Sequence, residues 1–600
     1  MGDDREKHVF RSAVPSHAPY PDDLDVYSFI FEHFPASRPD PRGRTQPLLV
    51  DDETGEGWTF EECKQRTDAL SVGLREKCGV SWDTVAALYS SNSVYYPIVL
   101  WAVHRLGGVI SAANPAFQPD ELAYQLDASK ASVLLVGYEA RAAGFKAADR
   151  AGISRDKVVI VCDPAVVRQH KGQEKIEGSW TVTGLIAAGE AAIRADSKAL
   201  DRQRRALAKG EGRKKLSFLS FSSGTTGLPK GVAIPHSSPI ANVLQMASFN
   251  EVAAKFGEKE GRFRPGVDVS LGLLPFYHIY GLVIVLHFTF YIGVTTVVVP
   301  RFKGIVPMLE SCVKYKISIW WLVPPQVVLL CKDPGAKKYH AELAKFVRFV
   351  MIGAAPLSDD LSRQLDAILP GLHGQGYGMT ETCTVTLMHP LNTKPVMGSA
   401  GRLVTDTDAL VVTTDGNVCG VEERGELWIR APQNTLGYFN NKQATEEMFL
   451  KGNWVRTGDE VYFNKDGDCF ITDRLKELIK VKGFQVAPAE LEGWILNHAD
   501  VRDCGVIGYP DEDAGEVPCA FIALSEDAKA RVEKNQGEIE KIKASVAKHV
   551  SDTKVHYKRL GRVEILDSIP ATASGKILRR TLRDIGKTLP PIAKPQKSRL

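Results

Sequence analysis

Between Phe221 and Gly231 the chain reads FSSGTTGLPKG, which gathers hydroxyls, glycines and one lysine within a few residues. Gly224 and Gly227 let backbone N–H groups close on an anion with no Cβ in the way. Ser222, Ser223, Thr225 and Thr226 add hydroxyl donors, and Lys230 adds a mobile positive charge. Such a set suits the phosphates of a nucleotide. It is not a P-loop: Pro229 precedes the lysine and Gly231 follows it, so no helix runs cleanly through Lys230 and no Ser or Thr comes next to hold a metal. A polar turn between two strands has the same composition, so the remaining residues must decide. Structural zinc is not implied, because the ten cysteines lie singly from Cys63 to Cys519 with no C-x-x-C pair and no histidine cluster. Free thiols and a reducing compartment follow.

The chain has 600 residues, 44% hydrophobic and 24% charged, enough for two or more globular domains. A net charge of +3 with no aromatic-interleaved basic stripe sets nucleic acid aside as a partner. The opening MGDDREKHVF has charges where a signal peptide needs an apolar core, and Glu6 replaces the Ser or Thr that myristoylation of Gly2 needs. Ser598, Arg599 and Leu600 keep the order of the S-K-L peroxisomal address. That predicts an import receptor as partner and a peroxisomal location, with a plain basic tail and the cytoplasm as the alternative.

These residues need a scaffold, and the pattern of elements is α/β. WTFEECKQRTDALSVGLREKCGV has helical spacing, and VAALYS, VSLGLLPF, TTVVVP, ISIWWLVP and VRFVMIGAA read as buried strands. Two parallel-type sheets with flanking helices follow. Asp268 to Arg301 encloses no charged residue, but Pro275, His278, Gly281 and Gly293 break it into strand, loop, buried helix and strand, which opposes a transmembrane span. Residues 189–215 read as a solvated helix and loop, and 251–268 as an exposed charged insertion. Short strands with turn signals over 398–472 predict a β-rich, barrel-like subdomain of a large domain spanning 1–472. A small α+β domain spans 481–590, with helices near 488–497 and 535–549; 473–480 joins the two, and 591–600 is a flexible tail.

Seven stretches occur in order: FSSGTTGLPKG, PFYHIYG (275–281), GAAPL (353–357), QGYGMTE (375–381), RTGD (456–459), DRLKELIKVKGFQVAPAELE (473–492) and PATASGK (570–576). In order and spacing they resemble the adenylate-forming superfamily, which holds acyl- and aryl-CoA synthetases, luciferases and peptide-synthetase adenylation domains. Their wording is most similar to its 4-coumarate:CoA ligase-like branch, and the similarity covers about residues 25 to 585.

The resemblance implies a carboxylic acid, ATP and CoA as substrates, with Mg2+ as cofactor. A carboxylate oxygen attacks the α-phosphorus, pyrophosphate departs, and a thiolate then displaces AMP from the acyl carbon. Two anions meet in the first step; at ~4 Å they repel by about 4 kcal/mol at an effective dielectric of about 20, roughly a thousandfold in rate. Lys576 matches the family lysine that bridges them; a surface lysine after a Ser–Gly turn is the bland alternative. Thr380 matches the Thr of the family's Thr-Glu pair, and Glu381 with Thr226 would hold Mg2+. Asp459 matches the ribose ligand, with Arg474 beside it. Tyr377 would stack on adenine, and Gly353, Ala354, Ala355, Gln375, Gly376 and Gly378 would line the nucleotide.

His278 matches an aromatic position bordering the carboxylate, although a lone histidine in an apolar run is more often a core residue. Ile279, Tyr280, Ala354, Gly378 and Met379 would join it around the acyl group, a wall suited to an aromatic or medium apolar acid. Lys482, Gly483 and Phe484 match the CoA-side loop, while Lys480 and Gln485 match polar residues that act once the small domain has swung about Asp473 or Lys476. Two stretches depart from the family pattern and are expected to stay clear of the reaction: Trp82–Asp83 and the Thr435–Phe439 turn. The leading expectation is a CoA ligase for an aromatic, phenylpropanoid-like acid, as monomer or dimer. A fatty-acid:CoA ligase, a luciferase and a non-catalytic binding or membrane-associated protein are the competitors.

Overall fold

The computed structural model describes residues 4–590 except 18, 163, 171, 203, 223–228, 253–260, 391–392, 483, 512–513 and 573–574. Ser223 to Gly227, Gly483 and the Ser598–Arg599–Leu600 tail therefore lie outside the described residues, as does the side chain of Ser222.

Two mixed sheets form the body. In one, the buried strands Val85–Tyr89, Val109–Ala113, Val133–Gly137 and Val158–Val161 pair in parallel, and Leu216–Ser222 joins Val109–Ala113. Antiparallel Lys230–Pro235 closes one edge. Helix Phe60–Cys78 begins at a capping box between Thr59 and Glu62 and ends where Gly79 turns left-handed at φ 68°. The second sheet places Leu49–Asp51, Thr295–Val298, Val269–Gly272, Ile319–Leu322, Phe349–Ile352 and His373–Met379 side by side, all parallel. The apolar runs of the first five suit burial on both faces. The charge-free stretch is strand, loop, helix and strand as its punctuation predicts, and its helix, Tyr280–Phe288, has π character. No helix among the described residues is long and apolar enough to cross a membrane.

A six-stranded antiparallel sheet follows, in which Asp408–Val412, Gly425–Arg430 and Trp454–Phe463 are neighbours. Phe10–Arg11 adds an edge strand from the far end of the chain, a pairing no local pattern announces. In the small domain Val501–Asp511 and Gly515–Leu524 form a long hairpin, covered by Pro488–Ile495, Glu538–Ser551 and Arg579–Lys587.

The 251–268 segment corrects its sequence reading, since its described end is not exposed. Phe263 is fully buried against Trp321, Phe288 and Phe349. Arg262 is buried too, because Asn250 Oδ1 and the carbonyls of His389 and Pro390 accept its protons.

Candidate active site

Four adjacent parallel strands end at one sheet edge, and each delivers a motif there. Val269–Gly272 leads to His278 and Tyr280, Ile319–Leu322 to Val323 and Pro325, Phe349–Ile352 to Gly353–Ala355, and His373–Met379 to Thr380 and Glu381. Carboxyl ends of parallel strands are where open α/β sheets bind ligands. Gly378 is a steric necessity, since a Cβ there would stand 1.5 Å from the Thr384 carbonyl oxygen; one on Gly376 would meet the movable end of the Met351 side chain. Ala354 holds φ 68°, a left-handed conformation that a side chain adopts only under constraint. Gly353 and Ala355 flank it, and Tyr280 lies directly under Gly353 with its hydroxyl on Met351 O at 3.3 Å. Ile279 is 4% exposed and belongs to the core, while Met379 and Thr380 are half-buried at the rim.

The Tyr377 hydroxyl donates to Asp459 Oδ2 at 2.5 Å, and Arg474 Nε lies 3.3 Å from Asp459 Oδ1. Burial lifts the Asp459 carboxyl above its ordinary range, and the Arg474 charge opposes that rise. Gln375, expected to line the nucleotide, lies on the strand His373–Met379. Its side chain accepts from Leu357 N at 2.8 Å and donates to Ser399 O at 3.2 Å, so both ends are occupied by backbone.

Lys576 reaches this edge from the small domain. Its turn is closed by Gly575 N on Thr572 O and Lys576 N on Thr572 Oγ1, with Gly575 at φ 78°. A Cβ on Gly575 would come 3.1 Å from Val323 Cγ2 and 3.2 Å from Pro325 Cδ, so the turn sits against the large domain. Burial pushes the Lys576 amine down to about 8; Arg474 adds to that, while Glu477, Asp459 and Glu381 oppose it. The half-buried His278 is pushed down to about 4 by burial and by the Lys576 charge, so it is neutral near pH 7. Its Nδ1 accepts from Tyr280 N at 3.3 Å, which leaves the proton on Nε2.

Ser222 and Lys230 are cross-strand partners, and the Tyr124 hydroxyl donates to Pro229 O at 3.1 Å. Glu381 is 5% exposed rather than solvated. Its Oε1 accepts from the Tyr438 hydroxyl at 2.8 Å, and Lys230 Nζ stands 5.2 Å from the centroid of the same ring. This overturns the expectation that Thr435–Phe439 stays clear of the site. Sequence reasoning missed Tyr438 and Tyr124 because neither belongs to a chemical motif; the Gly–Tyr turn was the available signal for the first.

Lys480, Lys482, Phe484 and Gln485 are exposed on the small domain and are not drawn into the cleft. Lys480 and Gln485 pair across their hairpin, and Phe484 stacks on Tyr557 at 4.4 Å. Asp473, by contrast, is buried and accepts from Ala489 N at 3.2 Å, with its carboxyl raised to about 6 by burial; Lys476 is exposed.

A nucleotide-type edge with a cation delivered by a second domain defines an adenylate-forming enzyme. The chain belongs to the AMP-binding enzyme family, whose profile matches residues 39–439, and the AMP-binding enzyme C-terminal domain matches 490–576. It is an AMP-forming acid–CoA ligase. It is 35% identical over 593 residues to 4-coumarate–CoA ligase 5 of Oryza sativa subsp. japonica, covering 97% of this chain and 98% of that one. A 4-coumarate-CoA ligase 2 of Narcissus pseudonarcissus is 34% identical, with coverage of 96% and 94%. Among solved structures, the anthranilate CoA ligase AuaEII with anthranoyl-AMP shares the fold at TM-score 0.75 and 21% identity, over 94% of this chain and 98% of its own.

Proposed function

We propose that the chain joins an aromatic, phenylpropanoid-like acid to CoA, with Lys576 serving the first half-reaction. The observation that carries the lysine's role is its burial at the Asp459, Arg474 and Glu381 edge, at a pKa that keeps it largely charged at pH 7. A carboxylate oxygen attacks the α-phosphorus, a P–O bond to pyrophosphate breaks, and the acyl-adenylate forms; the ammonium offsets the charge of both anions. His278, neutral and protonated on Nε2, donates to a carboxylate without adding a second cation beside Lys576. Asp459 accepts from the ribose hydroxyls, and Tyr377 presents its ring to adenine.

A single buried carboxylate suits Mg2+, which keeps most of its shell as water and phosphate oxygen, so Glu381 fits that ion, with Thr226 as its expected partner. When bound, the ion neutralises charge on the phosphate oxygens. In the second half-reaction the thiolate of CoA attacks the acyl carbon and AMP leaves. The Lys480–Gln485 hairpin, with Gly483 for the pantetheine arm, replaces the Lys576 turn after rotation at 473–480.

The aromatic substrate is supported by the names of the relatives, which are 4-coumarate–CoA ligases. Pyrophosphate release is to be measured with CoA across cinnamic, benzoic, phenylacetic and alkanoic acids. Hydroxycinnamates should lead; preference for a long alkanoic acid overturns the reading in favour of a fatty-acid ligase. A peroxisomal location rests on Ser598–Leu600 and is tested by masking Leu600 with a bulky tag, which should leave the protein in the cytosol.

A further inference from the structure

Five side chains of alternating charge run from the nucleotide edge into the small domain. Asp459 Oδ1 meets Arg474 Nε at 3.3 Å, and Arg474 Nη1 meets Glu477 Oε1 at 4.0 Å. Glu477 Oε2 meets Arg579 Nε at 3.5 Å, and Arg579 Nη2 donates to both oxygens of Glu492 at 2.9 Å. The side chains of Glu477, Arg579 and Glu492 are only 12%, 11% and 11% exposed, so solvent screens these charges weakly. Arg579 lies three residues beyond Lys576 and opens the helix Arg579–Lys587, so whatever fixes Arg579 also fixes the lysine's turn.

The links are not equivalent. Glu492 also accepts from Val506 N at 2.8 Å, so the Glu492–Arg579 pair belongs wholly to the small domain. Glu477, inside the 473–480 segment, is the carboxylate set between the guanidinium beside the nucleotide edge and the one behind Lys576. Its carboxylate is the one that meets both arginines, and its charge also favours the protonated Lys576.

We propose that Glu477 is a positioning residue that seats Lys576 in the cleft by bridging Arg474 to Arg579, and that the Arg474–Glu477 step is the link that parts when the small domain swings away. The inference rests on the proposed role of Lys576 in the first half-reaction.

The full-length protein carrying Glu477→Gln or Glu477→Asp tests it. Glu477→Gln should lower carboxylate-dependent ATP–pyrophosphate exchange about 10- to 100-fold, while thioester formation from supplied acyl-adenylate and CoA stays within about threefold. Glu477→Asp should recover part of the exchange. In substrate-free protein, tryptic cleavage after Arg474 or Lys476 should be faster in Glu477→Gln at an unchanged melting temperature. Unaltered exchange with unaltered cleavage overturns the proposal, as does an equal loss in both half-reactions with a lowered melting temperature. If the wild type exchanges pyrophosphate with no acid, the adenylation reading fails, and the cleavage comparison still decides whether Glu477 holds the domains.

Discussion

The hydroxyl of Tyr438 donates to Glu381 Oε1 while its ring faces the Lys230 ammonium, so one side chain joins the buried carboxylate to the lysine. Backbone pairing makes this possible: Leu436 N on Ala233 O, Ala233 N on Gly437 O and Phe439 N on Gly231 O lay the turn along the strand that leaves the loop. A tyrosine far along the chain thereby sets the orientation of two groups that meet the same triphosphate in the proposed reaction.

Replacing Tyr438 by Phe removes a hydrogen bond to a charged acceptor, which contributes about 1.5–3 kcal/mol. The KM for MgATP should rise roughly tenfold or more, with little change in the KM for the acid. Initial-rate kinetics with nucleotide and acid varied in turn check this; an equal rise in both would point to general loosening.

Lys576→Ala should reduce acid-dependent pyrophosphate exchange by about 10² to 10³, as for other groups that stabilise developing charge. Thioester formation from preformed adenylate should be nearly spared. Equal exchange in variant and wild type would remove the lysine from the chemistry.

In the proposed reaction the charged amine is the active form; burial with Arg474 lowers its pKa to about 8, so adenylation should be full below that value and fall as pH rises through it. Measured exchange rates should show an alkaline limb near pH 8. Lys576→Arg, whose guanidinium stays charged, should lose that limb even if its rate is lower.

Gln375→Ala should leave the KM for ATP within about threefold, because both ends of the side chain are held by backbone rather than turned to the nucleotide. It should instead lower stability by about 1–3 kcal/mol, by leaving the Leu357 N–H without a partner. Isothermal titration with ATP and a denaturation curve separate the two; a large loss of nucleotide affinity would give the side chain a direct role at the nucleotide.

A Cβ at Gly378 would overlap the Thr384 carbonyl, which is backbone and cannot rotate aside. Gly378→Ala should therefore cost about 3 kcal/mol or more and disturb the turn that carries Glu381. Thermal melting together with exchange activity reads both effects.

The sequence by itself determined the chemistry and the list of parts. Short apolar runs such as Ile319–Leu322 and Phe349–Ile352, the FSSGTTGLPKG loop and the Lys576 turn are local patterns, and local periodicity and composition are what a single chain displays. Only the tertiary structure decided which parts meet. The order of parallel strands, which sets 373–379 beside 349–352 and 319–322 beside 269–272, depends on long-range packing, and it alone gathers His278, Gly353 and Glu381 at one edge. The same holds for Tyr438 against Glu381, for Gln375 turned to backbone, and for Glu477 between two arginines. Each joins residues distant in sequence or across the domain boundary, and the free energy that pairs them comes from burial and charge neighbours that exist only once the chain is folded.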